Sequence, residues 1–274
     1  MKNLKYNFFI TQTFANFTFC ESSSVGRATA SQAVGRGFES RLSLTIMDKS
    51  YNKIYTNCSA KKLNIEHACE VGVYLPKISN VIDFIEKGTR TTLVEADPES
   101  VALIRDCFDE YPNVQIHSVA VFDRRGRVKL SRAKASTFIT ELPQSPALVN
   151  DSYLKNPDNE FETDCVLFSD IDDGTIDLLS IDIEGAEWFV LSYMKSLPKV
   201  VSVETHGKYY TNPYIDKIRA FMFGNGYKEW FMDKSDTVYL NENAARVTLP
   251  EKLKLTIMKF RIFASRLKRY LRRR

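Results

Sequence analysis

From Ile65 to Leu240, short apolar runs alternate with stretches whose apolar residues recur every three or four positions, and few folds accept that pattern. Ile65–Val73, Thr91–Glu95, Val114–Val121, Thr175–Asp182 and Lys199–Glu204 read as strands, with a short extra strand at Val128–Ser131. Ile78–Lys87, Pro98–Asp109, Ala186–Met194 and Tyr214–Asn225 read as helices. Pro98 suits a first helical position, where the missing N–H has no intrahelical partner anyway. Strands separated by helices must run parallel, joined by right-handed crossovers. The last two strands, Tyr227–Met232 and Thr237–Leu240, are separated by residues 233–236 alone, which permits a hairpin but no crossover. The expected fold is α/β: a doubly wound, mostly parallel sheet closed by a C-terminal antiparallel hairpin. The polar segment 134–162, punctuated by Pro143, Pro146 and Pro157, is expected to be a long connection with weak structure.

Ligands of such sheets sit beyond the carboxyl ends of the strands, so each end is a candidate site. The first strand runs into Gly72, which lets backbone approach a ligand closely, or merely turns the chain. The second ends at Glu95, placed to take both hydroxyls of a ribose, with Asp97 beside it. The third ends near Ala120, small enough for a flat ring to lie against, or simply a core alanine; His117 reads as a surface or packed residue. The fourth, IDLLSIDIEGAE (Ile176–Glu187), is the most specific run in the chain. An apolar strand passes there directly into Asp182, Glu184 and Glu187, and carboxylates crowded at a strand end are poor structural choices unless they bind something. Glu187 alone also fits as an acid favouring a helix N-terminus. The fifth ends in SVETHG, where Glu204 and His206 alternate and so share a side. His206 can deprotonate a hydroxyl near neutral pH, or pack against the sheet edge.

Charge is unevenly spread. Residues 1–46 carry five Lys/Arg and two Glu, residues 251–274 ten Lys/Arg and one Glu, and the remainder has 23 basic and 31 acidic residues. An acidic core with a basic tail is not the pattern of a nucleic-acid-binding domain. The five cysteines form no CxxC pair, which argues against a zinc site and a disulfide framework and suits a cytoplasmic home. Residues 1–46 lack a sustained period. Within them, Ser23–Ala28 and Gly35–Arg41 can be read as translated D-arm and T-arm sequences of a transfer RNA gene, so translation is expected to start at Met47. The domain is then 47–250, followed by a basic tail at 251–274. In that tail Thr248 and Glu251 form a T-x-x-E helix start, and Leu253, Ile257, Phe260, Ala264, Leu267 and Leu271 draw one apolar stripe. Such a helix can lie on an anionic membrane, at the inner face for a cytoplasmic protein, or pack on the core or a second subunit.

The runs LVEADPESVALI, HSVAVFDRRGRVKL, IDLLSIDIEGAEWFVL and SVETHG, in this order, resemble the FkbM-type methyltransferase family from about Ile65 to Leu240. The resemblance implies a Rossmann-like domain that binds S-adenosylmethionine and methylates oxygen, often on sugars or polyketide-type products. The family's usual opening is an acid followed by V-G-A-N-x-G; Glu70, Val71 and Gly72 match it, while Val73, Tyr74 and Pro76 depart from it. On this resemblance Glu70, Gly72, Glu95 and Ala120 are expected to hold the cofactor. His206 is the leading general base, with Asp182 or Glu184 orienting a small-molecule or glycan acceptor or serving as base instead. Clustered carboxylates suit magnesium, but no metal is assigned at this stage. A catalytically degenerate scaffold is the alternative that Tyr74 and Pro76 motivate. A nicotinamide-dependent oxidoreductase fits less well, since the chain lacks G-x-G-x-x-G.

Overall fold

A computed structural model describes residues 52–133, 136–233 and 235–271. The expected leader, 1–46, and the expected start at Met47 lie outside the described residues. The chain runs through α1 (Lys53–Ala60), β1 (His67–Val71), α2 (Ile82–Glu86), β2 (Arg90–Glu95), α3 (Pro98–Phe108) and β3 (Val114–Ser118). It continues through β4 (Ala120–Val121), β5 (Gly126–Ala133), β6 (Ser136–Ile139), α4 (Pro146–Asn150) and β7 (Glu160–Val166). The last third comprises β8 (Leu178–Ile181), α5 (Glu187–Ser192), β9 (Val200–Glu204), α6 (Ile215–Gly224), β10 (Tyr227–Met232), β11 (Asp236–Asn241) and α7 (Leu249–Leu271).

The main sheet has seven strands in the order β10-β11-β9-β8-β1-β2-β3. The five from β9 to β3 are parallel, and β11 is antiparallel to both β9 and β10. The expected hairpin therefore forms, with its second strand inserted between the first and the parallel strands. Every residue of β1, β8, β9 and β11 is buried. Parallel strands covered by helices on both faces carry near-continuous apolar runs for this reason. Alternate side chains enter two separate cores. Ala68, Leu93, Leu178 and Val200 lie in one, while Cys69, Val94, Leu179 and Val201 lie in the other.

The structure corrects two expectations. First, the strand expected over Val114–Val121 breaks at Val119, and β4 joins a second, four-stranded sheet in the order β4-β7-β5-β6. One strand of that sheet, β6, and the first three residues of β7 come from the segment expected to be weakly structured. Only Cys165 of β7 is buried, so the half-exposed strand has no apolar run to mark it. Second, the expected helix over Ile78–Lys87 is a single 3-10 turn, Pro76–Ile78, followed by the short α2; Ile78 is exposed, whereas Val81 and Ile85 are buried as expected.

The second sheet is tied to the first through Arg132, which pairs with Asp97 and, at 2.8 Å, with Glu99. Arg132 of β5 donates from Nε and Nη2 to both oxygens of Asp97, at 2.8 and 2.7 Å, and Thr137 of β6 donates to the same carboxylate at 3.0 Å. Burial alone raises the Asp97 pKa, but these donors outweigh it and hold the carboxyl below its ordinary range. Asp97 also caps α3 by accepting from Glu99 N.

β1 and β8 are neighbours, yet the chain reaches them from opposite halves of the sheet, so the switch point lies between their carboxyl ends. There the backbone after β1 presses on the backbone after β8. Gly72 has φ +86°, and a Cβ on it would stand 1.8 Å from the carbonyl oxygen of Asp182. The glycine is thus required by strand packing, whatever it offers a ligand. Gly72→Ala combines an unfavourable left-handed residue, about 1–2 kcal/mol, with overpacking of about 1–3 kcal/mol. Urea denaturation should show a loss of that combined size, or no folded protein.

Candidate active site

A cavity of about 320 Å³ opens at this switch point. Glu70, Gly72, Glu95, Ala120, Asp182 and Glu184 all line it, so six of the seven expected site residues meet there. The second sheet supplies the facing wall through Leu130, Ser136, Phe138 and Ile139. His206, the seventh, does not line the cavity.

The acids differ in how their oxygens are used. Glu95 accepts four backbone N–H groups: Val73 and Tyr74 on one oxygen, at 3.0 and 2.8 Å, and Ala96 and Asp97 on the other, at 2.8 and 2.9 Å. A carboxylate offers about four acceptor positions, so Glu95 is saturated by the loops it joins. Ribose hydroxyls could bond it only by displacing these N–H groups. Glu70 is likewise engaged with the loop after β1, accepting from Asn80 N at 2.9 Å and Ser79 Oγ at 2.5 Å; burial pushes its pKa up to about 7. Glu187 accepts from the N–H groups of Ile183 and Gly185 and from Asn212 Nδ2.

Glu184 is held differently. It sits in the left-handed region at φ +56°, a conformation that non-glycine residues rarely adopt and that tends to mark functional sites. One carboxylate oxygen accepts from Ser136 Oγ at 2.7 Å, and the other has no hydrogen-bond partner. Burial, opposed by the Ser136 bond, brings its pKa up to about 7. Asp182 is partly exposed on the cavity wall. Burial and then the charges of Asp236 and Glu184 raise its pKa well above the carboxylate range.

His206 is buried elsewhere. Its N–H donates to Ser235 O, and its Nδ1 lies 3.0 Å from Thr205 Oγ1. Its Nε2 is buried without a partner. Burial, then the Arg266 charge from α7, pushes its pKa down to about 4, so the ring is neutral at pH 7. Glu204 and His206 were expected on one side. Instead Glu204 faces the carboxylates, while the amides of Thr205 and His206 both donate to Ser235 O, which breaks the alternation, and the His206 ring feels the Arg266 charge from α7.

Ser136, Tyr210 and Asn212 were not singled out in the sequence. All three lie outside the parallel strand ends, in segments without periodicity, and only the folded chain brings them to the acids.

The model of the methyltransferase FkbM domain matches residues 70–229. This chain belongs to that family. The methyltransferase family and its doubly wound fold therefore stand, and S-adenosylmethionine is the cofactor. Similar solved structures include the methyltransferase domain of bacterial CtHen1, 8% identical, with a TM-score of 0.38, covering 68% of this chain and 93% of that one. A fibrillarin pre-rRNA processing protein of Methanococcus jannaschii is 10% identical, with a TM-score of 0.34, covering 71% and 76%. A precorrin-6y C5,15-methyltransferase of Geobacter metallireducens is 12% identical, with a TM-score of 0.32, covering 70% and 90%. No curated protein matches the chain.

The residues fit the cofactor in character. Val94, Val119, Ala120 and Ile139 give the cavity an apolar wall for an adenine ring, and the Gly72–Tyr74 backbone borders it at the β1 end. The family's asparagine is Tyr74 here, at φ +54°. Asparagine tolerates this region better than tyrosine does. Tyr74 is 37% exposed, so little packing depends on its ring. Tyr74→Asn should stabilise the chain by about 1 kcal/mol. Thermal denaturation that shows no gain would mean the loop is not strained at this residue.

Proposed function

We propose that this methyltransferase acts on a hydroxyl of a small molecule or glycan, with Glu184 as the general base. The observation that carries the reading is that Glu184 lines the cavity and keeps one buried carboxylate oxygen without a hydrogen-bond partner. The cofactor supplies a methyl group on a sulfonium, a good electrophile that needs little covalent help. The chain must then align a hydroxyl with it and take the proton. Ser136 fixes the Glu184 carboxyl by a bond to one oxygen and leaves the other to accept. Asp182, on the same wall, orients the acceptor. Glu95 acts through the loop, holding the Val73 and Tyr74 amides where the methionine end of the cofactor would meet them. His206, buried outside the cavity, takes no proton in this reading.

A sugar or glycan suits the reading because hydroxyl-rich acceptors match a wall of carboxylates. Glu184→Gln keeps the size of the side chain and removes the base. Its kcat should fall about 100- to 10,000-fold with S-adenosylmethionine affinity unchanged. His206→Ala should keep kcat within a few-fold of the native chain. The reverse ranking, with His206→Ala the more damaging at saturating acceptor, would restore the histidine as base.

We infer that α7 places the enzyme on an anionic membrane surface at the cytoplasmic face. The helix is tied down by polar contacts: Glu251 with Lys61 and Trp230, Lys259 with Glu229, and Arg266 with Tyr210 O and Thr211. Its apolar stripe stays in solvent, with Leu253 and Leu271 63% exposed and Phe260 69%. Among its residues only Leu255 is buried. An apolar stripe flanked by cations suits a headgroup interface, each cation contributing about 1 kcal/mol. Among the described residues, no helix is long and apolar enough to cross a membrane. The full chain should float with phosphatidylserine vesicles at low salt, and Ile257→Glu/Phe260→Glu should stay in the soluble fraction. Equal flotation of both proteins, or of neither, would end the membrane reading.

A further inference from the structure

Asp182, Glu187 and Glu204 come from the end of β8, the first turn of α5 and the end of β9. One carboxylate oxygen of each lies within 4.8 Å of the other two. Among the described residues, none of the three is in an ion pair. Three acids this close, two of them buried and the third on the cavity wall, repel one another and favour a neutralising partner.

Glu204 is only 6% exposed, and its Oε2 is buried without a hydrogen-bond partner. A second polar group beside the cluster is also unpartnered. The hydroxyl of Tyr210 is fully buried and 3.4 Å from where a Cβ on Gly185 would stand, in the loop that joins Asp182 to Glu187. The charges of Glu187 and Glu204 act on that hydroxyl, after burial, to keep its proton in place. Two buried oxygens from different segments thus converge on the acids and bond nothing.

Glu187 is fixed from outside, gripped by Ile183 N, Gly185 N and Asn212 Nδ2, at 3.2, 2.9 and 2.5 Å. Asn212 also donates to the backbone carbonyl of Glu204, tying the end of β9 to Glu187. Such outer bonds are what orient ligating carboxylates. Asp182 closes the cluster on the cavity side, where water or an acceptor oxygen can complete a coordination shell.

We propose that Asp182, Glu187 and Glu204 bind one hard divalent cation of the magnesium or calcium class. All three donors are carboxylate oxygens, with no nitrogen or sulfur among them, which selects hard cations over zinc or copper. Three oxygens within 4.8 Å of one another can surround one cation at about 2.0–2.6 Å, which covers the magnesium and calcium ranges. If the methyl-transfer reading above is right, the cation sits where it can hold an acceptor hydroxyl. Binding itself does not rest on that reading.

The test needs no acceptor and no turnover. The chelator-treated full chain is titrated calorimetrically with MgCl₂ and CaCl₂, and its melting temperature is followed. One cation per chain and a higher melting temperature are expected. Glu204→Gln and Asp182→Asn should each weaken binding about tenfold or more. In chelator, Glu204→Gln should melt above the native chain, because one repelling charge is gone. Terbium, a calcium stand-in, locates the site without altering a carboxylate: its tyrosine-sensitised emission should drop in Tyr210→Phe. No binding by the native chain at millimolar cation, or binding that neither carboxylate variant changes, overturns the proposal. Terbium emission that Tyr210→Phe leaves unchanged overturns it as well.

Discussion

The loops above the parallel sheet are folded around buried carboxylates. Glu95 draws in the amides of Val73, Tyr74, Ala96 and Asp97; Glu70 draws in Asn80; Glu187 draws in Ile183 and Gly185. At the opposite end of the sheet Asp172 does the same for Gly174, Lys195 and Ser196. A carboxylate is costly to bury unless donors surround it, and a loop amide is costly to bury without an acceptor. Each satisfies the other, so the loops can cross the sheet end without regular secondary structure. The shape of the cavity depends on these latches more than on the strands below.

The latches also separate oxygens that hold structure from oxygens that can act; Oε1 of Glu187 takes two amides, whereas its Oε2 takes only Asn212 Nδ2. An oxygen already bonded to two amides has nothing left for a ligand. Glu184 and Glu204 each keep one buried oxygen unengaged, and both sit beside Asp182 at the switch point. Glu184 faces the cavity from a left-handed backbone position, while Glu204 faces Asp182 and Glu187. In the proposed reading, base and cation ligand are neighbouring roles of one carboxylate group, divided by which way each side chain points.

The second sheet turns a cleft into a cavity. Its joint to the main sheet is Asp97 with Arg132, backed by Thr137, and the Arg132 guanidinium also lies 5.0 Å from the Phe161 ring centre. That joint brings Ser136 to Glu184 and Ile139 to the apolar wall. Asp97, read from the sequence only as the neighbour of Glu95, thus fixes the wall facing the acids.

Much of this was legible in the sequence. The parallel strands are buried on both faces, so IDLLSI and its counterparts show as apolar runs, and the four residues between Met232 and Thr237 leave room only for a hairpin. Acids directly after such runs had to lie at strand ends, which is why Glu70, Glu95, Asp182 and Glu184 were found together. β6 and β7 were not legible, because β6 offers only two apolar residues, Phe138 and Ile139, and β7 is a half-exposed strand with only Cys165 buried. Nor was His206, which alternation placed with Glu204 and whose amide donates to Ser235 O. Sequence by itself determined the fold and which acids reach the switch point, since both follow from periodicity and chain order. Only the tertiary structure decided which carboxyl oxygens remain unbonded. That choice depends on amides contributed by loops distant in sequence, and no local pattern records where those amides come to rest.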